Sequence, residues 1–195
     1  MAPQEKGPAT QLLAPGFLVA MPQLADPNFK RTVVLMLRSE ESGSFGVVIN
    51  RPSPIEMGPF CREQDIPYAG PEDQPVMIGG PVEQDSHLLV IHGGPPLHGP
   101  KSGREIRVTD DIHVITDREG LASLGRDPSI PVRCYLGYAG WGPGQIEREL
   151  AEGAWVVLPA DSRLLFDEPT EGVWERALRE AGIDPIALVP GGAPS

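Results

Sequence analysis

The sequence predicts an α+β fold: a single domain with a mostly antiparallel β-sheet, open to barrel-like closure, flanked by a few helices. Three observations predict it. Short apolar runs follow one another through the first half with links too short for helices. Clear helical periodicity comes only late in the chain. Gly and Pro supply 23 residues each of 195, close to the roughly 25–30% at which low-complexity disorder begins. Because apolar runs recur along the whole length, these residues read as turn and loop formers instead. A chain of this size buries roughly 70% of its unfolded surface and needs no disulfide or metal staple. A doubly wound parallel sheet would place a helix after nearly every strand, which the first half does not do.

The domain is expected over residues 12–190, with polar tails 1–11 and 191–195 expected to be disordered. Gly16–Met21 reads as the first strand. Thr32–Leu37 is apolar on both faces, the mark of a central strand covered on both sides. Ser39–Phe45 is turn-rich and leads into Phe45–Asn50, which predicts an antiparallel hairpin. Arg51–Pro75 holds six prolines in 25 positions, leaving room only for a short helix near Ile55–Glu63. Val76–Ile78 and His87–His92 are strands joined through Gly79-Gly80-Pro81-Val82-Glu83. Gly93–Arg104 reads as an exposed, mobile loop, and Glu105–Val108 as a short strand. Ile112–Leu124 is ambiguous, with a short helix over Asp117–Leu124. Pro131–Tyr138 and Ala154–Leu158 are strands. Gly144–Glu152 is a helix with Ile146 and Leu150 inward and Gln145, Glu149 and Glu152 outward. In Thr170–Ala181, Trp174, Ala177, Leu178 and Ala181 repeat at helical spacing. Thr170 is the expected N-cap, and Gly182 and Pro185 end the helix.

Charge and cysteine narrow the function classes. Lys plus Arg is 16 and Asp plus Glu is 27, a net charge of −11. Such a chain repels phosphate backbones and anionic lipid, so direct nucleic-acid or membrane binding is not expected. Arg31, Arg38, Arg51 and Arg62 read as scattered surface charge. A basic protein partner would suit the balance. Cys61 and Cys134 form no C-x-x-C pair. Cys134 is expected buried and inert; Cys61, in a loop or short helix, is expected to be the more reactive thiol. The longest strongly apolar runs, such as Val33–Leu37, fall well short of the roughly 20 residues that span a bilayer. Leu12–Met21 is broken by Pro15-Gly16 and is followed by no signal cleavage site. A cytoplasmic location is expected.

The most unusual segment runs Gly137-Tyr138-Ala139-Gly140-Trp141-Gly142-Pro143-Gly144-Gln145. It leaves a strand and enters a helix. Glycines let backbone approach a ligand, a helix start offers N–H groups, and Tyr138 and Trp141 could stack on a flat ring. The competing reading is a tight strand-to-helix turn locked by a buried Trp. No Lys-Ser/Thr follows, so it is no triphosphate loop, and no suitably placed acid marks a dinucleotide fold. Gly79-Gly80 ends another strand, either as a turn or as a point of close ligand approach. Asn50 and Arg51 form a compact polar set suited to a carboxylate or phosphate. The candidate ligand or partner site is therefore Asn50, Arg51, Gly79, Gly80, Tyr138, Gly140, Trp141, Gly142, Gly144 and Gln145. His87, His92 and His98 cluster in sequence, but the spacing of His87 and His92 sends them to opposite faces of a strand. No metal and no cofactor is expected, and no nucleophile motif is written in the chain. Asp26-Pro27-Asn28-Phe29 reads as a turn in which Asp26 holds backbone N–H groups.

In order, Gly16–Pro22, Asp26–Phe29, Gly46–Pro52, Gly79–Val82, Leu136–Gln145 with Glu149-Leu150, Ala154-Trp155, Leu164–Asp167 and Trp174–Leu178 resemble the blocks of the YqgE/AlgH family. The resemblance covers about residues 12–190. Departures are Arg31-Thr32, where the family more often has Arg-Ser, and the added Gly93–Arg104 loop. The resemblance implies a bacterial, cytoplasmic, single-domain α+β protein and supplies no catalytic residue. It also carries a proposed role in transcriptional regulation, which the net charge of −11 opposes where DNA contact is direct. The favoured expectation is a non-enzymatic regulatory or protein-interaction module, with or without a small ligand. The alternative is an enzyme or small-ligand sensor using the Gly137–Gln145 loop.

Overall fold

A computed structural model describes residues 14–99 and 101–186. The tails 1–11 and 191–195, expected to be disordered, lie outside the described residues. In chain order the strands are β1 (Gly16–Ala20), β2 (Val33–Glu40), β3 (Gly43–Val48), β4 (Pro52–Glu56), β5 (Pro75–Ile78), β6 (Leu88–His92), β7 (Glu105–Arg107), β8 (His113–Ile115), β9 (Val132–Leu136), β10 (Ala139–Trp141) and β11 (Trp155–Pro159). The helices are α1 (Met57–Glu63), α2 (Arg118–Gly125), α3 (Gln145–Ala151), α4 (Ser162–Phe166) and α5 (Val173–Glu180).

The strands form two sheets, confirming an α+β fold with mostly antiparallel pairing. One has the order β10-β3-β2-β1-β11 and the other β4-β5-β9-β6-β8-β7. Only the β5–β9 pair is parallel among the described residues. Barrel closure does not occur: β10, β11, β4 and β7 remain as edges. The sheets instead stack around a shared apolar layer. Phe17, Val19, Leu35 and Val47 from the first sheet meet Met77, Ile91 and Tyr135 from the second. Helices α4 and α5 close the side of this layer with Leu164, Leu165, Trp174 and Leu178.

The continuous apolar runs of β1 and β2 follow from that layering. Alternate residues of β1 point to opposite faces. Phe17 and Val19 enter the shared layer, while Leu18 and Ala20 enter a second cluster with Trp141, Ile146 and Trp155. The second sheet is likewise covered on its far face, where α1 and α2 bury Met57, Cys61, Leu121 and Leu124 against Val76, Val90 and Cys134.

Several boundaries differ from the sequence expectation for physical reasons. The β5 and β6 strands do not pair with each other, because β9 inserts between them with Tyr135 opposite both Met77 and Leu89. A strand at Pro52–Glu56 was hidden by its prolines, which a sheet tolerates at an edge. Residues Thr170–Gly172 form a separate 3-10 turn, so Thr170 supplies no side-chain cap to α5. The ambiguous Ile112–Leu124 resolves into β8 and α2, whose N-cap Asp117 accepts the Gly120 N–H. The Gly93–Arg104 loop, expected to be exposed and mobile, is tied by Leu97 and His98 N–H donation to the Glu105 carboxylate at 3.0 and 2.7 Å. Among the described residues no helix is long and apolar enough to cross a membrane.

Candidate functional site

The glycines of the two sequence blocks meet each other. Tyr138 and Val82 exchange backbone hydrogen bonds, each at 3.0 Å. A Cβ on Gly79 would lie 2.3 Å from the Gly137 carbonyl oxygen, and one on Gly80 would lie 2.1 Å from that of Tyr138. Gly80 also has φ +155, in the region that disfavours side chains. The absence of side chains here lets backbone approach backbone. Tyr138 is half-buried, with its ring edge-on to Phe45 and His87.

Trp141 is 4% exposed. Phe29 stacks on its ring at 5.6 Å, and Trp155 meets it edge-on at 6.1 Å. Glu149 accepts the indole N–H of Trp141 at 3.1 Å and that of Trp155 at 2.8 Å, both on Oε2. Its Oε1 accepts the Gln145 amide at 2.9 Å, and Gln145 in turn accepts the Gly142 N–H at 3.1 Å. Glu149 was expected on the solvent face of α3. It is drawn inward because two indole N–H groups left dry would each lack an acceptor. Gly140 is exposed in the middle of β10, and Gly144, with φ +72, turns the chain into α3.

Asn50 and Arg51 are engaged elsewhere. Asn50 accepts the Val33 N–H and donates to the Arg31 carbonyl, both at 2.9 Å. Arg51 donates to the carbonyls of Asn28, Pro27 and Lys30 at 2.5, 2.8 and 3.3 Å. Asp26 closes the same loop by accepting the Asn28 N–H at 2.8 Å. The loop so held carries Phe29 onto Trp141. The predicted site residues are thus linked through internal packing: Asn50 and Arg51 shape the loop, Phe29 covers Trp141, and Glu149 ties Trp141 to Gln145.

Cys61 does not fit the reactive-thiol expectation. It lies in α1 at 1% exposure, where burial and then the nearby Glu72 push its thiol up. Burial likewise pushes up the Cys134 thiol.

A charged cluster that the sequence reading missed lies at the far end of the second sheet. His92 and His113 face each other across the β6–β8 pair, both fully buried. Their rings stack at 5.3 Å. Glu105, with its side chain 4% exposed, lies 3.0 Å from His92 Nε2 and 3.6 Å from His113 Nδ1. Burial alone would raise the Glu105 carboxyl. The His98 and Leu97 N–H donors and His92 outweigh it and hold the group below its ordinary value. A cavity of about 270 Å³ opens over this cluster, lined by Pro96, His98, Glu105, Arg107, Asp110 and His113. His98 Nε2 and His113 Nδ1 are buried without a hydrogen-bond partner. His98 Nε2 lies 3.5 Å from Asp117 Oδ2. Arg107 pairs with Asp110 at the rim. His87, His92 and His98 were grouped by sequence proximity, but the partner of His92 is His113. Only the register of two short strands brings that pair together. Among the described residues no group of three or more His, Cys, Asp or Glu is arranged to hold a metal ion.

Comparison with known proteins agrees with the fold and the motif blocks. Residues 17–186 match the family model described as AlgH-like. A UPF0301 protein of Anaeromyxobacter dehalogenans is 43% identical over 188 residues, covering 92% of this chain and 93% of its own. One from Myxococcus xanthus is 41% identical over 181 residues, covering 92% and 96%. The solution structure of the AlgH protein from Pseudomonas aeruginosa superposes with a TM-score of 0.69 at 31% identity, covering 100% of this chain and 98% of that one. The chain belongs to the AlgH-like, UPF0301 family.

Proposed function

We propose that this protein is a non-enzymatic regulatory module that binds a small polar ligand in the cavity over Glu105 and His113. The observation that carries the reading is the buried carboxylate–imidazole cluster beneath an open cavity, with two imidazole nitrogens left without partners. Concave sites with a few convergent polar groups and a shifted ionisable residue are where ligands bind. Arg107 and Asp110 supply one charge of each sign at the rim.

Three observations favour binding over catalysis. Glu105 is surrounded by donors, which hold it as an anion and leave it a poor base. Both cysteines are buried with raised thiols. In the Gly137–Gln145 loop the Trp141 indole, the Gly142 N–H and the Gln145 side chain are engaged in hydrogen bonds within the fold. A basic protein partner, read from the net charge of −11, would then respond to the ligand state, and a cytoplasmic location suits such a role.

The test is native against denaturing mass spectrometry of the gently purified full chain, wild type and His98→Ala. Extra mass in the native wild-type spectrum, absent from His98→Ala, is the expected result. Ligand retained by a folded His98→Ala variant would place it elsewhere and overturn the assignment.

A further inference from the structure

The two sheets expose four edge strands, and they are not alike. β4 carries Pro52, Pro54 and Glu56; β7 and β10 are three residues long, with Glu105 and Arg107 on β7. Prolines, charges and short length are the usual defences of an edge. β11 has five residues, Trp155-Val156-Val157-Leu158-Pro159, and no charge. Val156, Val157 and Leu158 are each left half-buried, and Pro159 is exposed.

The register fixes which backbone groups of β11 are free. Met21 N–H donates to the Ala154 carbonyl and Ala20 N–H to that of Thr32, each at 2.9 Å. With Val19 opposite Val156 and Phe17 opposite Leu158, the alternation of antiparallel pairs turns Ala154, Val156 and Leu158 toward β1. Trp155, Val157 and Pro159 therefore direct their backbone groups to the open side, where no strand pairs with them among the described residues. Pro159, which has no N–H, stands where β1 requires none.

We propose that β11 pairs with β11 of a second copy of this chain, antiparallel about a two-fold axis through Val157. In this register Val157 lies opposite the partner's Val157, and the two exchange N–H···O=C bonds. Trp155 lies opposite the partner's Pro159, and each Trp155 N–H meets a Pro159 carbonyl, so the proline is used only as an acceptor. The half-buried side chains complete the match. Val157 covers Val157 on one face, and Val156 meets the partner's Leu158 on the other. A two-fold contact must be self-complementary, and this segment is so in both hydrogen bonds and side chains. The join makes one continuous sheet of two five-stranded halves and leaves the Glu105 cavity, on the other sheet, outside the contact. Because each copy carries −11, added salt screens the repulsion and tightens the dimer.

The experiment is sedimentation and native mass spectrometry of the full chain over a wide concentration range, with amide hydrogen exchange. A dimer that strengthens with salt is expected, with the Val157 amide protected more as concentration rises. The Val156 and Leu158 amides, bonded to β1, stay protected throughout. Val157→Pro removes the outward N–H together with the Val157 side-chain contact and leaves the Val156 and Leu158 N–H groups to β1; the loss of two symmetry-related bonds alone raises the dissociation constant about thirtyfold. Val157→Lys serves as the second variant, since an edge lysine blocks pairing without touching the backbone. A chain that stays monomeric at every concentration overturns the proposal, as does a Val157 amide that is protected while the chain sediments as a monomer. A dimer unchanged by Val157→Lys also overturns it.

Discussion

Glu149 Oε2 lies 3.1 Å from Trp141 Nε1, and the same oxygen takes Trp155 Nε1 at 2.8 Å. One carboxylate thus fastens β10 to β11, the two outer strands of the first sheet, from its place on α3. The glycine-rich loop between β9 and α3 is the path that delivers this residue.

Replacing Glu149 tests that role. Glu149→Ala leaves two buried indole N–H groups without an acceptor, and each costs about 1–3 kcal/mol. The expected loss of stability is about 2–6 kcal/mol in denaturant unfolding. Glu149→Gln keeps an acceptor oxygen and should lose less. Equal stability of Glu149→Ala and wild type would refute the clamp.

Arg51 acts on the same cluster from the other side. Its guanidinium holds three carbonyls of the loop that carries Phe29. Arg51→Met should cost about 2 kcal/mol, in line with lost charge-assisted bonds. It should also shift tryptophan emission to the red, because Phe29 no longer shields Trp141. An anion-binding role for Arg51 predicts instead an unchanged emission and unchanged stability.

These two residues show how far the sequence can be read. The buried Trp and the tight turn were legible as one of two readings of Gly137–Gln145, because glycine spacing beside an aromatic suggests both. What separates the readings is the long-range approach of Gly79-Gly80 to Gly137-Tyr138, which no local pattern encodes. Glu149 was placed outward because helical periodicity sorts residues by hydropathy and takes no account of a buried donor that needs an acceptor. The fold class was legible from β1, β2 and the periodicity of α5. The Glu105 cluster was not, since β7 and β8 are three residues each and give no alternation long enough to reveal a register.

Thiol reactivity separates the buried reading of Cys61 from the reactive one. In the native protein a thiol-reactive disulfide dye should modify neither cysteine on the time scale of its reaction with free thiol. Denaturant should release both Cys61 and Cys134 together. Rapid labelling of native Cys61 would mean that α1 opens far more easily than its packing against Val76, Val90 and Cys134 implies.

Glu105 gives stability a defined acid limb. Its folded carboxyl lies below its ordinary value, so the unfolded chain takes up the proton first as pH falls. The contribution is fully present above the unfolded value, about pH 4–5 for a free glutamate, and is lost as pH drops through the lower folded value. Protonation then also weakens the carboxyl as acceptor of the Leu97 and His98 N–H groups. Stability of the wild type should fall across this acid window more steeply than that of Glu105→Gln, which has no charge there to lose. The variant starts less stable near neutral pH, because the Leu97 and His98 N–H groups each bond to a different carboxylate oxygen and an amide offers only one acceptor oxygen. Parallel stability curves for the two proteins between pH values of about 3 and 6 would show that the Glu105 carboxyl titrates alike in the folded and unfolded chain, and the donor cage around it would then need another explanation.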